Sequence, residues 1–292
     1  MKVKVLTDSA SNLTSDLLHE FDIDMVSFTY RIGEEVHPCF DPARDYEEMG
    51  KEFYDRLRNG EKIQTSLCTP GEYETIFRKY LDQGYDIFYT SISSKLSGTL
   101  RSAIAAKEAI EGEYPNQKII CMDSLSASFG EGLIAMEAAR LAKAGKSIDE
   151  IVSMIDPLRL TVRNEFTVDD LRYLLRGGRI SKFAFALGKA FDIKPMLRAS
   201  KEATIESVGK MIGRKRALNR LALTVQETIV HPESQTLWIA HCDCWDDAKE
   251  VERLIRQKVP SIQNIRISMY DFCTGAHVGP GALAVFYYGV HR

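Results

Sequence analysis

The chain has 292 residues, of which 45% are hydrophobic and 27% are charged. At about 150 residues per domain, this length predicts about two domains, and the apolar share is enough for a sizeable core. The composition excludes a mainly disordered chain, and six cysteines are too few for a disulfide-dense scaffold. The net charge of −3 does not favour nucleic acid or an anionic membrane surface as a partner.

The first half of the chain alternates short apolar strands with amphipathic helices. Strands are predicted at residues 3–6, 86–92 and 118–122, each followed by a helical pattern, and residues 25–40 are predicted to form a hairpin. This alternation is typical of parallel βαβ units, in which ligands collect beyond the carboxyl ends of the strands. We therefore expect an α/β domain over residues 1–158, with a mainly parallel sheet and flanking helices.

The pattern changes near residue 160. A strand is predicted at 160–167, a short helix at 169–175 and a hairpin over 193–208, and alternating helices and strands follow from residue 214 to 270. These elements predict an α+β domain over residues 159–292.

Residues 272–291 contain no Asp, Glu, Lys or Arg, and twenty such residues are long enough to span a bilayer. Three glycines and Pro280 interrupt the stretch, so we interpret it as a glycine-rich loop over 275–281 that runs into a buried strand. The N-terminus lacks the apolar core of a secretory signal. We therefore expect no transmembrane segment and a cytoplasmic location.

A hydroxyl-rich segment joins a predicted strand to a predicted helix. It contains Ser94, Ser97, Gly98 and Thr99, and the free N–H groups of a helix N-terminus suit a carboxylate or phosphate. The alternative is simple capping of the helix by serine. The pair Thr65 and Ser66 precedes another helix, where turn chemistry is the alternative to a ligand contact.

Two further groups could contact a ligand or a partner. His277 lies between Gly275, Gly279 and Gly281, and it could bind an anion or be a loop histidine without a task. The arginines at positions 172, 176 and 179 could bind an acidic partner, or they could simply end a helix.

Three weaker patterns receive little weight. Residues 130–135 match a dinucleotide fingerprint but stand too far from a strand end, and residues 241–244 have poor zinc spacing. The Gly-x-Ser-x-Gly sequence of α/β-hydrolases is absent. The sequence thus indicates neither a metal nor a cofactor.

The motifs together resemble those of the DegV family, whose members include the fatty-acid-binding subunits of bacterial fatty acid kinase. The resemblance runs nearly end to end and rests on the order and spacing of these segments: residues 7–9, 65–66, 92–99, 123–124, 170–180, 193–197 and 275–281. It departs at Leu67-Cys68-Thr69-Pro70, where the family commonly has Gln-Pro-Ser after the Thr-Ser pair.

The resemblance implies a protein that holds one long-chain fatty acid, similar to palmitate, stearate or oleate, with its tail in an apolar tunnel and its carboxylate near the domain interface. It implies Thr65, Ser97 and His277 as carboxylate ligands. Supporting roles fall to these residues: Ser66, Ser94, Gly98, Thr99, Gly279 and Gly281.

The same resemblance implies that an ATP-dependent fatty acid kinase subunit docks at Arg172, Arg176 and Arg179 and that the chain itself has no independent catalytic activity. Two alternatives remain. A Ser/His-dependent hydrolase or acyl transferase could use Ser97 or Ser94 with His277, and labelling by a fluorophosphonate probe would favour it. A binder of another small amphiphile would be identified by the mass of its ligand.

Overall fold

A computed structural model describes residues 2–180 and 192–291. The described strands are, in chain order, β1 (Val3–Asp8), β2 (Ile23–Val26), β3 (Thr29–Ile32), β4 (Glu35–Pro38), β5 (Ile63–Ser66), β6 (Asp86–Ser91), β7 (Ile119–Asp123), β8 (Val162–Thr167), β9 (Ile193–Ala199), β10 (Ile205–Ile212), β11 (Thr236–His241), β12 (Asn264–Met269) and β13 (Leu283–Tyr288). The described helices are α1 (Ser15–Phe21), α2 (Tyr46–Arg58), α3 (Pro70–Leu81), α4 (Thr99–Ile110), α5 (Phe129–Lys143), α6 (Ile148–Leu158), α7 (Arg172–Arg176), α8 (Arg214–Thr228), α9 (Trp245–Lys258) and α10 (Phe272–Val278).

The chain divides into two compact units. Unit 1 comprises Met1–Pro42 and Gln64–Leu160, and unit 2 comprises Ala43–Ile63 and Thr161–Arg292. The sequence places a boundary at residue 158 but does not indicate that the early segment Ala43–Ile63 belongs to the second unit.

Unit 1 contains a four-stranded sheet in the order β2-β1-β6-β7. All neighbouring pairs are parallel, as the βαβ pattern predicts. Strand β6 is buried along its whole length, which explains why its sequence reads as a continuous run and not as an alternation. The sheet order reverses beside β1, and ligands in such sheets bind beyond the carboxyl ends of the strands at that point.

The predicted hairpin over residues 25–40 is only partly correct. Strands β3 and β4 do form an antiparallel hairpin, with Gly33 in the left-handed region at φ +59°. Met25, however, lies in β2 and pairs with Thr7 of β1 in the parallel sheet. The error arises because a four-residue parallel strand next to a hairpin offers no separate periodicity.

Unit 2 contains a six-stranded sheet in the order β10-β9-β8-β13-β11-β12. Only the β11–β12 pair is parallel, and the predicted hairpin over 193–208 is confirmed as β9 and β10. Helices α8 and α9 pack together, and their apolar side chains form a core with β11 and β13. These two sheets confirm the predicted fold class of a parallel α/β part and an α+β part.

Helix α2 is an integral part of unit 2. Its Phe53 ring stacks on Phe272 with centroids 5.1 Å apart, and the Tyr54 hydroxyl donates to the backbone oxygen of Tyr270 at 3.1 Å. The Phe53 and Tyr54 side chains are fully buried. This helix therefore supports the region of unit 2 from which α10 begins.

Candidate functional site

The hydroxyl-rich segment of unit 1 lies between β6 and α4 and is held by several hydrogen bonds. The backbone N–H of Ser94 donates to Asp123 Oδ2 at 3.1 Å, and the N–H of Lys95 donates to Ser93 Oγ at 3.2 Å. Asp123 ends β7, so two neighbouring strands fix this segment. The predicted position beyond the carboxyl ends of parallel strands is confirmed.

Ser97 is half-buried at the N-terminus of α4. Its Oγ lies 2.8 Å from Thr99 Oγ1 and accepts a long hydrogen bond of 3.4 Å from the Thr99 N–H. Gly98 is the N-cap residue, and no side-chain capping hydrogen bond is found there among the described residues. The Ser97 hydroxyl is thus held by Thr99 and has only a weak capping role.

Thr65 lies on β5 within the same unit and is half-buried, whereas Ser66 is exposed. The segment that follows lies against the start of α4, because Leu67 Cδ2 is 3.3 Å from the position that a Cβ on Gly98 would occupy. Unit 1 therefore brings the Thr65 segment and the Ser97 segment side by side.

The Leu67–Pro70 departure forms a well-defined helix start. The Cys68 thiol is buried and donates to the Ser27 carbonyl at 3.1 Å, and burial raises its pKa to about 12. Thr69 and Glu72 form a capping box, with Pro70 at the first position of α3. Cys68 is therefore a neutral structural anchor next to the Thr65 segment.

A buried carboxyl group lies below the hydroxyl-rich segment. Asp8 ends β1, and its Oδ2 accepts from the Tyr89 hydroxyl at 3.0 Å and from the Ile92 N–H at 3.3 Å. Its Oδ1 accepts from the Ala10 N–H at 2.9 Å. Burial raises the pKa of Asp8 to about 7 despite these hydrogen bonds. Sequence reasoning identified residues 7–9 as a motif but missed that Asp8 anchors the residue where the hydroxyl-rich segment begins.

In unit 2, His277 does not lie in a loop as predicted. Residues 272–278 form helix α10, whose N-cap Asp271 accepts from the Thr274 N–H at 2.6 Å. The low helix propensity of two internal positions, Thr274 and Gly275, hid this helix in the sequence. The Asp-x-x-Thr spacing of the cap is the signal that could have revealed it.

The glycines around His277 approach protein side chains closely. A Cβ on Gly275 would lie 2.2 Å from the Tyr54 hydroxyl. At Gly279 a Cβ would lie 2.3 Å from the Tyr173 ring, and at Gly281 it would lie 2.2 Å from Asp169 Oδ2. Gly279 and Gly281 also have φ of +79° and +77°, which disfavours a side chain. These three glycines therefore allow close packing against other side chains of the protein.

His277 is neutral at neutral pH. Burial lowers its pKa to about 4, and the positive charge of Arg179 acts in the same direction. A neutral imidazole can donate one hydrogen bond and accept another. It can therefore bind an anion through its N–H group without carrying a positive charge.

The three arginines lie in or just after α7 and differ in their surroundings. Arg172 is exposed and pairs with Asp170 at 2.6 Å. The Arg176 guanidinium lies over the Tyr173 ring at 5.0 Å, and Arg179 donates to the Gly177 carbonyl. Two of the arginines, Arg172 and Arg176, are exposed on unit 2, as a docking role requires.

Unit 2 also contains an apolar cavity of about 400 Å³ that sequence reasoning did not find. Strands β9 and β10 supply most of its lining. The sequence pattern does not show this cavity, because its lining side chains come from several elements that meet only in the folded protein. The lining residues are Leu171, Ile180, Ile193, Pro195, Leu197, Ile205, Ser207, Val208, Gly209 and Lys210. Its size lies within the range of small-molecule pockets, about 300 to 1,000 Å³.

The discounted patterns have structural explanations. A Cβ on Gly132 would lie 2.5 Å from the Ser11 carbonyl oxygen, so the Gly130–Gly132 segment serves the packing of α5. His241 Nδ1 accepts from the Cys244 N–H at 3.3 Å. In residues 2–180 and 192–291, no group of three or more His, Cys, Asp or Glu could hold a metal ion. None of the described helices is long and apolar enough to cross a membrane.

The fold and these residues define a class: a two-unit α/β protein with polar groups beyond the carboxyl ends of a parallel sheet in one unit and an apolar cavity in the other. A family model described as "Uncharacterised protein, DegV family" matches residues 2–290. A DegV domain-containing protein of Clostridium perfringens is 37% identical over 288 residues, which cover 99% of this chain and 98% of that protein. The chain therefore belongs to the DegV family.

Two solved structures extend this comparison. A DegV family protein of Ruminococcus gnavus, refined with vaccenic acid, has a TM-score of 0.84 and 26% identity, covering 97% of this chain and 99% of that chain. DegV of Bacillus subtilis, described as a fatty acid binding protein, has a TM-score of 0.81 and 27% identity, with 98% of each chain covered. The predicted family is confirmed.

Proposed function

We propose that this protein binds one long-chain fatty acid and presents its carboxylate to an ATP-dependent fatty acid kinase subunit, which forms the acyl phosphate. The apolar cavity of unit 2 carries this proposal, together with the fatty acids bound by the two structural relatives. An acyl chain of about sixteen methylenes gains roughly 13 kcal/mol of gross transfer free energy at about 0.8 kcal/mol each. Binding costs reduce this gain strongly but leave room for a stable complex.

Thr65 and Ser97 of unit 1 and His277 of unit 2 are the proposed carboxylate ligands. The support lies in their chemistry. The two hydroxyls lie on adjacent segments of unit 1, the α4 N-terminus supplies a positive dipole end, and His277 is a neutral donor. Such donors hold a carboxylate without neutralising it, which leaves its oxygen nucleophilic toward ATP.

Arg172 and Arg176 are the proposed contacts for the kinase subunit, with Arg179 next to His277. Arg172 and Arg176 are exposed, and guanidinium groups bind carboxylates and phosphates in a bidentate manner. The proposed role of the chain is therefore binding and presentation, while ATP and the catalytic groups come from the partner subunit.

The proposal predicts that purified protein carries or takes up a C14–C20 fatty acid, as measured by native mass spectrometry and palmitate titration. Ile205→Trp fills the cavity and should weaken palmitate binding at least about tenfold, since the tryptophan side chain occupies space that the acyl chain requires. Ile212→Trp, at a 62% exposed position of the same strand that does not line the cavity, should leave binding unchanged. Protein that takes up no fatty acid would contradict the proposal.

The same titration tests the head-group residues. Thr65→Ala with Ser97→Ala removes two donors and should weaken palmitate binding roughly ten- to a hundredfold, at about 1 kcal/mol or more for each hydrogen bond. The matched control is Thr75→Ala with Ser153→Ala, because these hydroxyls bond to carbonyls of their own helices in unit 1. Equal affinities in the two double variants would move the carboxylate site elsewhere.

A further inference from the structure

Gly177 lies in direct contact with the imidazole of His277. A Cβ built on Gly177 would lie 2.3 Å from His277 Nδ1, 3.2 Å from Cε1 and 3.3 Å from Cγ. Separations below 3.0 Å do not occur for real side chains, so any residue other than glycine at position 177 would displace the ring. The imidazole thus occupies the space that a side chain on the loop after α7 would need.

The backbone itself does not explain this glycine. Gly177 has φ −71° and ψ −12°, which any residue adopts at a helix end. Gly178 next to it has φ +73°, where glycine is favoured, and within the described part of the chain nothing lies within 4 Å of its Cβ position. The two adjacent glycines are therefore required for different reasons. Gly178 is required because its φ is positive, and Gly177 is required because a side chain there would meet His277.

The loop after α7 lies beside His277. Arg179 donates to the Gly177 carbonyl, so the loop folds back on itself beside the ring. Helix α10 carries His277, and α7 packs against α10. The ring is held between its own helix and a loop whose nearest position has no side chain.

We propose that Gly177 is a positioning residue for His277: by lacking a side chain it lets the loop after α7 seat the imidazole in the orientation that binds the fatty-acid carboxylate. The effect on ligand binding rests on the proposed function, whereas the effect on the position of the ring does not. Gly177 touches no ligand in this proposal and acts only through His277.

The test compares Gly177→Ala with Gly178→Ala in the full-length protein. The side-chain NMR signals of His277, assigned by their loss in His277→Gln, report the environment of the ring directly. In Gly177→Ala we expect these signals to move and the pKa of His277 to rise toward about 6.5, because the ring is displaced from its buried position. In Gly178→Ala we expect a lower melting temperature with the His277 signals unchanged. Unmoved signals in Gly177→Ala would overturn the proposal.

Palmitate titration separates this proposal from the proposed function. We expect both Gly177→Ala and His277→Ala to weaken binding about five- to tenfold, which corresponds to the loss of one hydrogen bond. A moved ring with unchanged affinity in both variants leaves Gly177 as a positioning residue and removes His277 from the carboxylate site. A moved ring in Gly177→Ala, together with weakened binding in His277→Ala alone, would show that Gly177 does not position His277 for binding.

A double-mutant cycle keeps the test decisive if Gly177→Ala folds poorly. The melting temperature of Gly177→Ala with His277→Ala should return to that of His277→Ala alone, because truncating the ring removes the atoms that the new methyl meets. If the glycine substitution lowers the melting temperature equally in both backgrounds, the contact is not with His277 and the proposal fails.

Discussion

At the scale of single residues, the most informative group is the buried carboxyl of Asp8. It is fully buried beneath the hydroxyl-rich segment, accepts from the Tyr89 hydroxyl and lies near the ionisable side chains of Tyr73 and Cys68. The sequence identifies Asp8 as part of a motif at a strand end. It does not predict a raised pKa, because that depends on burial by elements distant in the chain.

The raised pKa of Asp8 predicts an unusual pH dependence of stability. In the unfolded chain an aspartate has a pKa of about 3.9, whereas in the folded protein it is about 7. Between these values the folded state binds more protons than the unfolded state. Stability from this group is therefore fully present at low pH and is lost as pH rises toward about 7, by up to about 1.4 kcal/mol for each pH unit.

Asp8→Asn removes this dependence because the amide does not ionise. Measured by urea unfolding from pH 5 to pH 8, the stability of the wild type relative to Asp8→Asn should fall as pH rises. The control is Asp16→Asn, the same chemical change at an exposed position in the first turn of α1. Parallel pH profiles for the wild type and Asp8→Asn would show that Asp8 ionises normally.

At the scale of secondary-structure elements, the sequence predicts those that carry a strong local signal. Strands β6 and β7 agree with the strands predicted at 86–92 and 118–122 to within one residue, because each contains a run of apolar residues. Helix α10 and strand β2 escape prediction because one is glycine-containing and the other is four residues long. The sequence therefore predicts His277 in a loop, whereas the structure places it in helix α10.

The contact between α5 and the turn after β1 depends on Gly132. An added Cβ would lie 2.5 Å from the Ser11 carbonyl and 3.0 Å from Leu13 Cδ2. Because the first of these atoms belongs to the backbone, it cannot turn away as a side chain could. Close packing here therefore outweighs the poor helix propensity of glycine.

The same substitution on two helices should consequently have opposite effects. Gly132→Ala should lower the free energy of unfolding by about 1 to 3 kcal/mol through overpacking, against the propensity gain. Gly71→Ala in the first turn of α3 should raise it by up to about 0.5 to 1 kcal/mol, since no described atom lies within 4 Å of its Cβ position. Urea unfolding of both variants measures the two changes. A stabilised Gly132→Ala would mean that α5 can move away from Ser11 without cost.

At the scale of the whole molecule, each of the two units is built from two separate segments of the chain. Ala43–Ile63 belongs to unit 2, although unit 1 precedes and follows it in sequence. The sequence predicts the change of pattern near residue 160, because that change is local. It cannot reveal that α2 packs on α10. An apolar helix face shows that a helix is partly buried but does not show which element covers it.

This division predicts where the effect of a core truncation appears. Phe53→Ala removes a fully buried ring that stacks on Phe272 and should cost about 3 to 5 kcal/mol. Hydrogen exchange followed by mass spectrometry should therefore speed up most in β12 and α10, more than 200 residues away in the chain. Phe77→Ala, an equally buried ring of α3, provides the matched control and should act mainly on β6 and its neighbours in unit 1. If Phe53→Ala instead accelerated exchange mainly in β1 and β6, helix α2 would take its stability from unit 1, and the division into units would be wrong.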